Sequence, residues 1–167
     1  MILPLVFWDT SSLVKRFAPE TGSETVDALW THPNTRMATT TLSYAETFSV
    51  LLRKFNGGRL NARAFNDAVS FLEDEVLNSS RFAILSIDDD HIFQGIPLMK
   101  VHHFNSADAA VLACCLAAKV PAEAAGSHCF LSASDKRLIR ASEAEGLRVI
   151  NPENLTPSDA LRLLDSK

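Results

Sequence analysis

The stretch Leu5-Val6-Phe7-Trp8-Asp9-Thr10-Ser11-Ser12-Leu13-Val14 constrains the fold of this chain more than any other. An apolar run of strand length stops on an acid, and helical patterning begins at once behind it. Up to Asp9 the run reads as a buried strand. From Thr10 onward it reads as a helix with hydroxyls at its N-terminus. A carboxylate at the mouth of a strand-to-helix turn sits where open α/β sheets place their chemistry. The plainer alternative is that Asp9, Thr10 or Ser11 merely caps the helix.

The same alternation continues along the chain. Strand-like segments fall at 3–8, 36–40, 82–87, 128–131 and 147–150, and helical patterns lie between them. Helices are expected at 11–17, 22–32, 41–55, about 61–77, 88–101, 106–119, 134–145 and about 157–164, with 121–126 a loop. The helices before and after Gly57-Gly58 form a helical hairpin over the sheet. Strands alternating with helices predict an α/β domain: a central, mostly parallel sheet of about five strands, flanked by helices on both faces. We read residues 1–167 as one domain, with a motif-bearing core at about 3–152 and a short C-terminal helix at 156–165.

Composition narrows the partners. The chain has 167 residues and a formal net charge of -4, so binding nucleic acid through overall charge is disfavoured; a local basic rim around an acidic site is not. No apolar run of about 18 residues suggests a membrane span. Cys114, Cys115 and Cys129 make neither a disulfide framework nor a zinc spacing, so packing in a reducing cytoplasm is their expected setting.

Four acids fall at element ends rather than on amphipathic faces. Asp9 follows the first strand, Glu46 lies in the helix after the second, Asp108 opens the Ala-rich helix, and Asp135 follows the strand before the last. In a parallel sheet all carboxyl ends share one edge, so these acids can converge. Each also has a plain structural reading. Ser43-x-x-Glu46 has the form of a capping box, Asn105-x-x-Asp108 resembles one, and Ser134 can cap a helix in which Asp135 opposes the macrodipole. Carboxylates gathered without cations raise one another's pKa. Magnesium or manganese resolves that repulsion and suits phosphodiester hydrolysis by activated water.

The segment Val6 to Phe17 followed by Pro19-Glu20-x-Gly22-Ser23-Glu24 resembles the opening of PIN-domain nucleases, in particular the toxins of VapBC-type toxin–antitoxin pairs. Leu42 to Leu51 resembles their second motif, Phe104 to Ala113 their third, and Leu131 to Leu138 with Gly146 to Pro152 their fourth acid and closing strand. The resemblance implies a metal-dependent endoribonuclease, commonly a homodimer, inhibited by a small cognate antitoxin. It implies that Asp9, Glu46 and Asp108 hold Mg2+ or Mn2+ and that Asp135 completes the acidic site, with Thr10 hydrogen-bonding within it. The sequence departs from the family pattern at Ala133, where many relatives carry Thr; Ser132 and Ser134 stand on either side, and Ser134 is the expected support. The approach from Val120 to His128 is also longer than usual.

Lys15, Arg16, Arg53, Lys54, Arg59, Arg63, Lys136, Arg137 and Arg140 either track an RNA backbone or form solvated helix faces, the latter for most of them. Lys136 and Arg137, beside Asp135, are the best RNA contacts. His102-His103 reads as a helix end, and Asp88-Asp89-Asp90 as a helix start lacking EF-hand spacing. Phe48, Leu52, Phe55 and Phe65 on the hairpin are core or cover for a partner. The alternative function is a catalytically silent module that holds RNA or protein. A phosphatase with Asp9 as nucleophile is disfavoured, because Ser11 replaces the second acid of an Asp-x-Asp pair.

Overall fold

The computed structural model describes residues 3–165. Five strands, β1 (Leu5–Trp8), β2 (Arg36–Thr40), β3 (Phe82–Leu85), β4 (Cys129–Ser132) and β5 (Arg148–Ile150), form one sheet in the order β3-β2-β1-β4-β5. Every pairing is parallel, with Val6 opposite both Met37 and Phe130. The helices are α1 (Thr10–Phe17), α2 (Ser23–Thr31), α3 (Thr41–Asn56), α4 (Ala62–Leu72), α5 (Asp89–His102), α6 (Ser106–Ala124), α7 (Lys136–Ala144) and α8 (Pro157–Asp165).

The strand order explains the two layers. From β1 the chain moves outward through β2 to β3, then returns across β1 to build β4 and β5 on the other side. The helices of the outward leg, α1–α4, share a core with α8 on one face, built on Val6, Trp8, Met37, Phe130 and Ile150. The helices of the return leg, α5–α7, cover the other face, built on Phe7, Ala38 and Leu131. Successive side chains of β1 therefore alternate between two covered faces, which is why its sequence is continuously apolar. Val6, Phe7 and Trp8 have no exposed surface, and each such side chain contributes roughly 1.5–3 kcal/mol by burial.

The α3–α4 hairpin packs on the first face through Leu51, Ala68 and Leu72, all buried. Phe55 and Phe65 stack within it at 4.9 Å, while Phe48 and Leu52 stay exposed. The expected helix over 61–77 changes character partway: α4 ends at Leu72 and a π-helical turn, Glu73–Leu77, carries the chain on. Buried Val76 anchors that turn against the sheet-side core.

The largest departure from expectation is at 121–126. α6 continues through Pro121 to Ala124 instead of ending in a loop. Pro121 lacks only its own N–H; its carbonyl still accepts from Ala125, and buried Ala122 holds the last turn on the core. The long approach to β4 is thus an extra helical turn. Gly22 supports a close crossing at the other end. Its φ is +89°, and a Cβ there would lie 2.8 Å from the Pro152 carbonyl, so only glycine lets the α1–α2 turn meet the chain after β5.

A candidate acidic active site at the carboxyl edge of the sheet

The direction of strand addition switches between β1 and β4, and the carboxyl edge at such a switch point is the usual ligand position in open α/β folds. Asp9 stands there. Its N–H donates to the Ser132 carbonyl at 3.0 Å, extending the β1–β4 ladder by one residue. Asp9 is also the N-cap of α1, accepting from the Ser11 N–H at 2.9 Å. Of the three residues that could cap this helix, the acid itself is the one used. The cap uses one carboxylate oxygen, which also accepts from the Ser11 hydroxyl.

A simple exposed cap would have a lowered pKa. The Asp9 carboxyl is instead held above its usual range, first by burial and additionally by Glu46, against the opposing bonds from Ser11 and the Thr10 amide. The Ser11 hydroxyl links two parts of the site. While donating to Asp9, it accepts from the Ser134 N–H at 2.9 Å and the Asp135 N–H at 3.3 Å. Behind it, the Ser12 and Ser132 hydroxyls lie 2.6 Å apart.

Glu46 lies in the second turn of α3. The cap of that helix is Thr40, whose hydroxyl accepts from the Ser43 N–H, so no Ser43–Glu46 capping box forms. Glu46 instead accepts from the Thr10 hydroxyl at 2.9 Å, which places Thr10 between the first and second acids. At α6, Asn105 caps the helix by accepting from the Asp108 N–H and donates its own amide to the Asp108 carboxylate, both at 2.8 Å. Half of the expected box is present, with the reciprocal bond made between side chains. Asp135, not Ser134, caps α7, accepting from the N–H groups of Arg137 and Leu138. Helix initiation takes the acid because it lies immediately before the first helical residue. The Ser134 hydroxyl is buried with no hydrogen-bond partner among the described residues.

The four acids interact. Asp108 is pushed up to about 6 by burial and then by Asp9, Asp135 and Glu46 in turn. Among the described residues, none of the four forms an ion pair with a lysine, arginine or histidine. Nor do three acidic, histidine or cysteine side chains already close on one point as a metal cage; the cluster is open, each acid turned to its own hydroxyl or amide.

The nearby cations are engaged elsewhere. Lys15 is buried and bonds Glu20 at 3.0 Å and Glu153 at 2.7 Å; Lys54 also bonds Glu20. Arg16 spans Glu75 and Asp27. These three are therefore structural ions and not free backbone-tracking charges. Lys136 and Arg137 remain exposed on the first turn of α7, beside Asp135. Asp88 caps α5 and His102 ends it, bonded to Glu145, as helix-end roles require.

Ser11 and Asn105 are the site residues that sequence patterning undervalues. Both read as cap formers, and the cap motif conceals that Ser11 ties β1 to the turn after β4 and that Asn105 orients Asp108. Around Ala133, which brings no hydroxyl, the Ser11 hydroxyl meets the Ser134 and Asp135 N–H groups and the Ser132 hydroxyl pairs with that of Ser12.

Comparison with known proteins fits this geometry. A family model described as PIN domain matches residues 6–144. Ribonuclease VapC45 of Mycobacterium tuberculosis is 28% identical over 155 residues, covering 93% of this chain and 100% of the relative. Among solved structures, Mycobacterium tuberculosis VapC20, a Sarcin-Ricin loop cleaving toxin, superposes with a TM-score of 0.58 at 20% identity, covering 81% of this chain and 94% of its own. A chain of a toxin-antitoxin complex from Klebsiella pneumoniae superposes with a TM-score of 0.54 at 16% identity, covering 90% and 99%. With its parallel sheet, its acidic edge and a model match over most of its length, this chain belongs to the PIN domain family.

Proposed function

We propose that this chain is a divalent-metal-dependent endoribonuclease and the toxin of a toxin–antitoxin pair. One observation carries the reading: Asp108 is raised to about 6 by burial and by three neighbouring acids, and none of the four pairs with a cation among the described residues. Such a set lacks a positive charge. Its donors are all hard carboxylate oxygens, which suit an ion that keeps several waters and takes few protein ligands, as magnesium does. Asp9, Glu46 and Asp108 would hold Mg2+ or Mn2+, with Asp135 completing the negative edge. The ion supplies Lewis-acid activation of water and charge neutralisation at the scissile phosphate.

The remaining contributions come from the chain itself. Ser11 and Thr10 fix the rotamers of Asp9 and Glu46, and Asn105 fixes Asp108. Lys136 and Arg137 flank Asp135 in the open, where an RNA phosphate can meet them. The likeness to a ribonuclease and to chains of toxin–antitoxin complexes supports RNA as substrate and a small antitoxin as partner. Exposed Phe48 and Leu52 supply apolar surface for a partner protein or second subunit of a homodimer. No helix among the described residues is long and apolar enough to cross a membrane.

The test is cleavage of single-stranded RNA with magnesium by the wild-type protein and Asp9→Asn. Loss of cleavage in the variant and in excess EDTA is expected; robust cleavage in either would overturn the mechanism. The open arrangement favours a second reading, a silent RNA- or protein-binding module. That reading predicts binding without metal-dependent turnover, and no effect of Asp108→Asn.

A further inference from the structure

A second feature on α3 lies outside the acidic site. Where the α3–α4 turn folds back, a cavity of about 320 Å³ is lined by Glu20, Val50, Arg53, Lys54 and Arg59. Glu20 is already committed to Lys15 and Lys54, and that bonding holds its carboxyl below the usual range despite burial. Arg53 and Arg59 are exposed, and neither forms an ion pair or side-chain hydrogen bond among the described residues. The cavity thus has a neutralised floor and two uncommitted guanidinium groups at its mouth.

Its construction is fixed by the backbone. Gly58, with φ +72°, reverses the chain, and the Arg59 N–H and Leu60 N–H both donate to the Lys54 carbonyl, at 2.8 and 3.2 Å. This sets Arg59 back over the last turn of α3. Lys54 is held in turn by Glu20, which buried Lys15 anchors to Glu153. Helical geometry relates the cavity to the acids. Arg53 follows Glu46 by seven residues, which is close to two full turns, so both lie on one stripe of α3 about 10 Å apart along the axis. A single strand, whose phosphates lie farther apart than the roughly 3.4 Å per nucleotide of a duplex strand, covers that distance in at most about three nucleotides.

We infer that this cavity is a phosphate subsite for the RNA backbone a few nucleotides from the cleaved bond, with Arg53 and Arg59 as its contacts. The inference rests on the ribonuclease reading and adds to it a fixed direction for the strand, along α3. Arginine suits the task because its planar fork pairs with phosphate oxygens bidentately. An acidic protein segment would meet the same charges. The alignment of Arg53 with Glu46 at a spacing of a few nucleotides favours RNA.

The experiment compares the wild-type protein with Arg53→Gln/Arg59→Gln on fluorescent single-stranded RNAs of graded length in magnesium. On long RNA, KM is expected to rise about five- to tenfold with kcat within about twofold. The slope of log affinity against log salt should flatten by about 1.4, the value for two lost single-strand phosphate contacts. On RNAs ending within one nucleotide of the cleaved bond, the variant should match the wild type. Arg63→Gln, which removes a charge of the hairpin outside the cavity, should leave KM and slope unchanged.

Unchanged KM and salt slope on long RNA, with the wild type active, would overturn the subsite and leave the nuclease reading standing. Equal weakening on short and long RNAs would also overturn it, as would an equal effect of Arg63→Gln. A variant that keeps its RNA affinity but loses a protein partner would reassign the cavity and overturn the proposal. A wild-type protein that neither binds nor cleaves RNA would overturn both readings.

Discussion

The two ends of α1 carry opposite solutions to the same electrostatic problem. At its C-terminal end, Lys15 and Arg16 are matched against Glu20, Glu153, Glu75 and Asp27, and the helix is pinned to α2, to the π-helical turn and to the chain after β5. At its N-terminal end, Asp9 is buried with a second acid nearby and only hydroxyls and amides for company. One end is charge-balanced and can be nothing more than scaffold. The other stores repulsion that folding alone would have removed. Buried charge without a counterion is costly, and the divalent cation proposed for the acidic edge would offset that cost.

The sharpest way to break this contrast is Asp9→Asn. Cleavage should fall about a thousandfold. Asn still caps the helix, and a desolvated charge is gone, so the metal-free melting temperature should rise by about 2–4 °C. A variant that loses both activity and stability would mean that Asp9 is a structural ion like Lys15.

Lys15→Met is the complementary test. It should cost about 2 kcal/mol of stability in denaturant melts, tempered because Glu20 and Glu153 are 32% and 39% exposed and regain water. The kcat of the surviving folded protein should be unchanged. Thr10→Val, which removes the donor to Glu46, should lower activity or metal affinity about tenfold with little change in folding.

The smallest effect is in pH dependence, and its sign differs between the two ends. Asp108 has a folded pKa of about 6 against an ordinary 3.8, so the native state holds more protons between those values. Stability without metal should therefore fall as pH rises through about 6, by on the order of 1 kcal/mol because the carboxylate is only half-buried. Glu20 is shifted down, so its contribution is present above its unfolded pKa and is lost as pH falls through its lower folded value. Asp108→Asn should remove the first slope, and Lys54→Met should reduce the second; urea melts from pH 2.5 to 8 would separate them.

The regular part of the fold was legible because burial leaves a periodic trace. The run from Leu5 to Trp8 predicted a strand covered on both faces, and the segment 36–40 matched β2 at both ends. Pro121 misled because a local breaker signal competed with burial of Ala122, and burial prevailed. The π-helical turn at Glu73–Leu77 has no period of its own in the sequence. At the site, the order of the acids indicated a shared edge. Which residue caps each helix did not follow from spacing, since a Ser, Thr, Asn or Asp at adjacent positions satisfies the same N–H groups. Ser11 acts across to the turn after β4 as well as along its own helix, and only the tertiary arrangement distinguishes these roles. The basic residues divide on the same principle: Lys15 and Lys54 differ from Arg53 and Arg59 by partners that come from distant segments.

The central claim is that the unneutralised edge takes a divalent cation. The most direct measurement is anomalous diffraction from crystals of the wild-type protein soaked in manganese. An anomalous peak is expected between Asp9, Glu46 and Asp108, near Asp135, with those side chains turned from their hydroxyl and amide partners toward the ion. A fully soaked crystal with no peak at that edge, or with manganese bound only elsewhere, would contradict it.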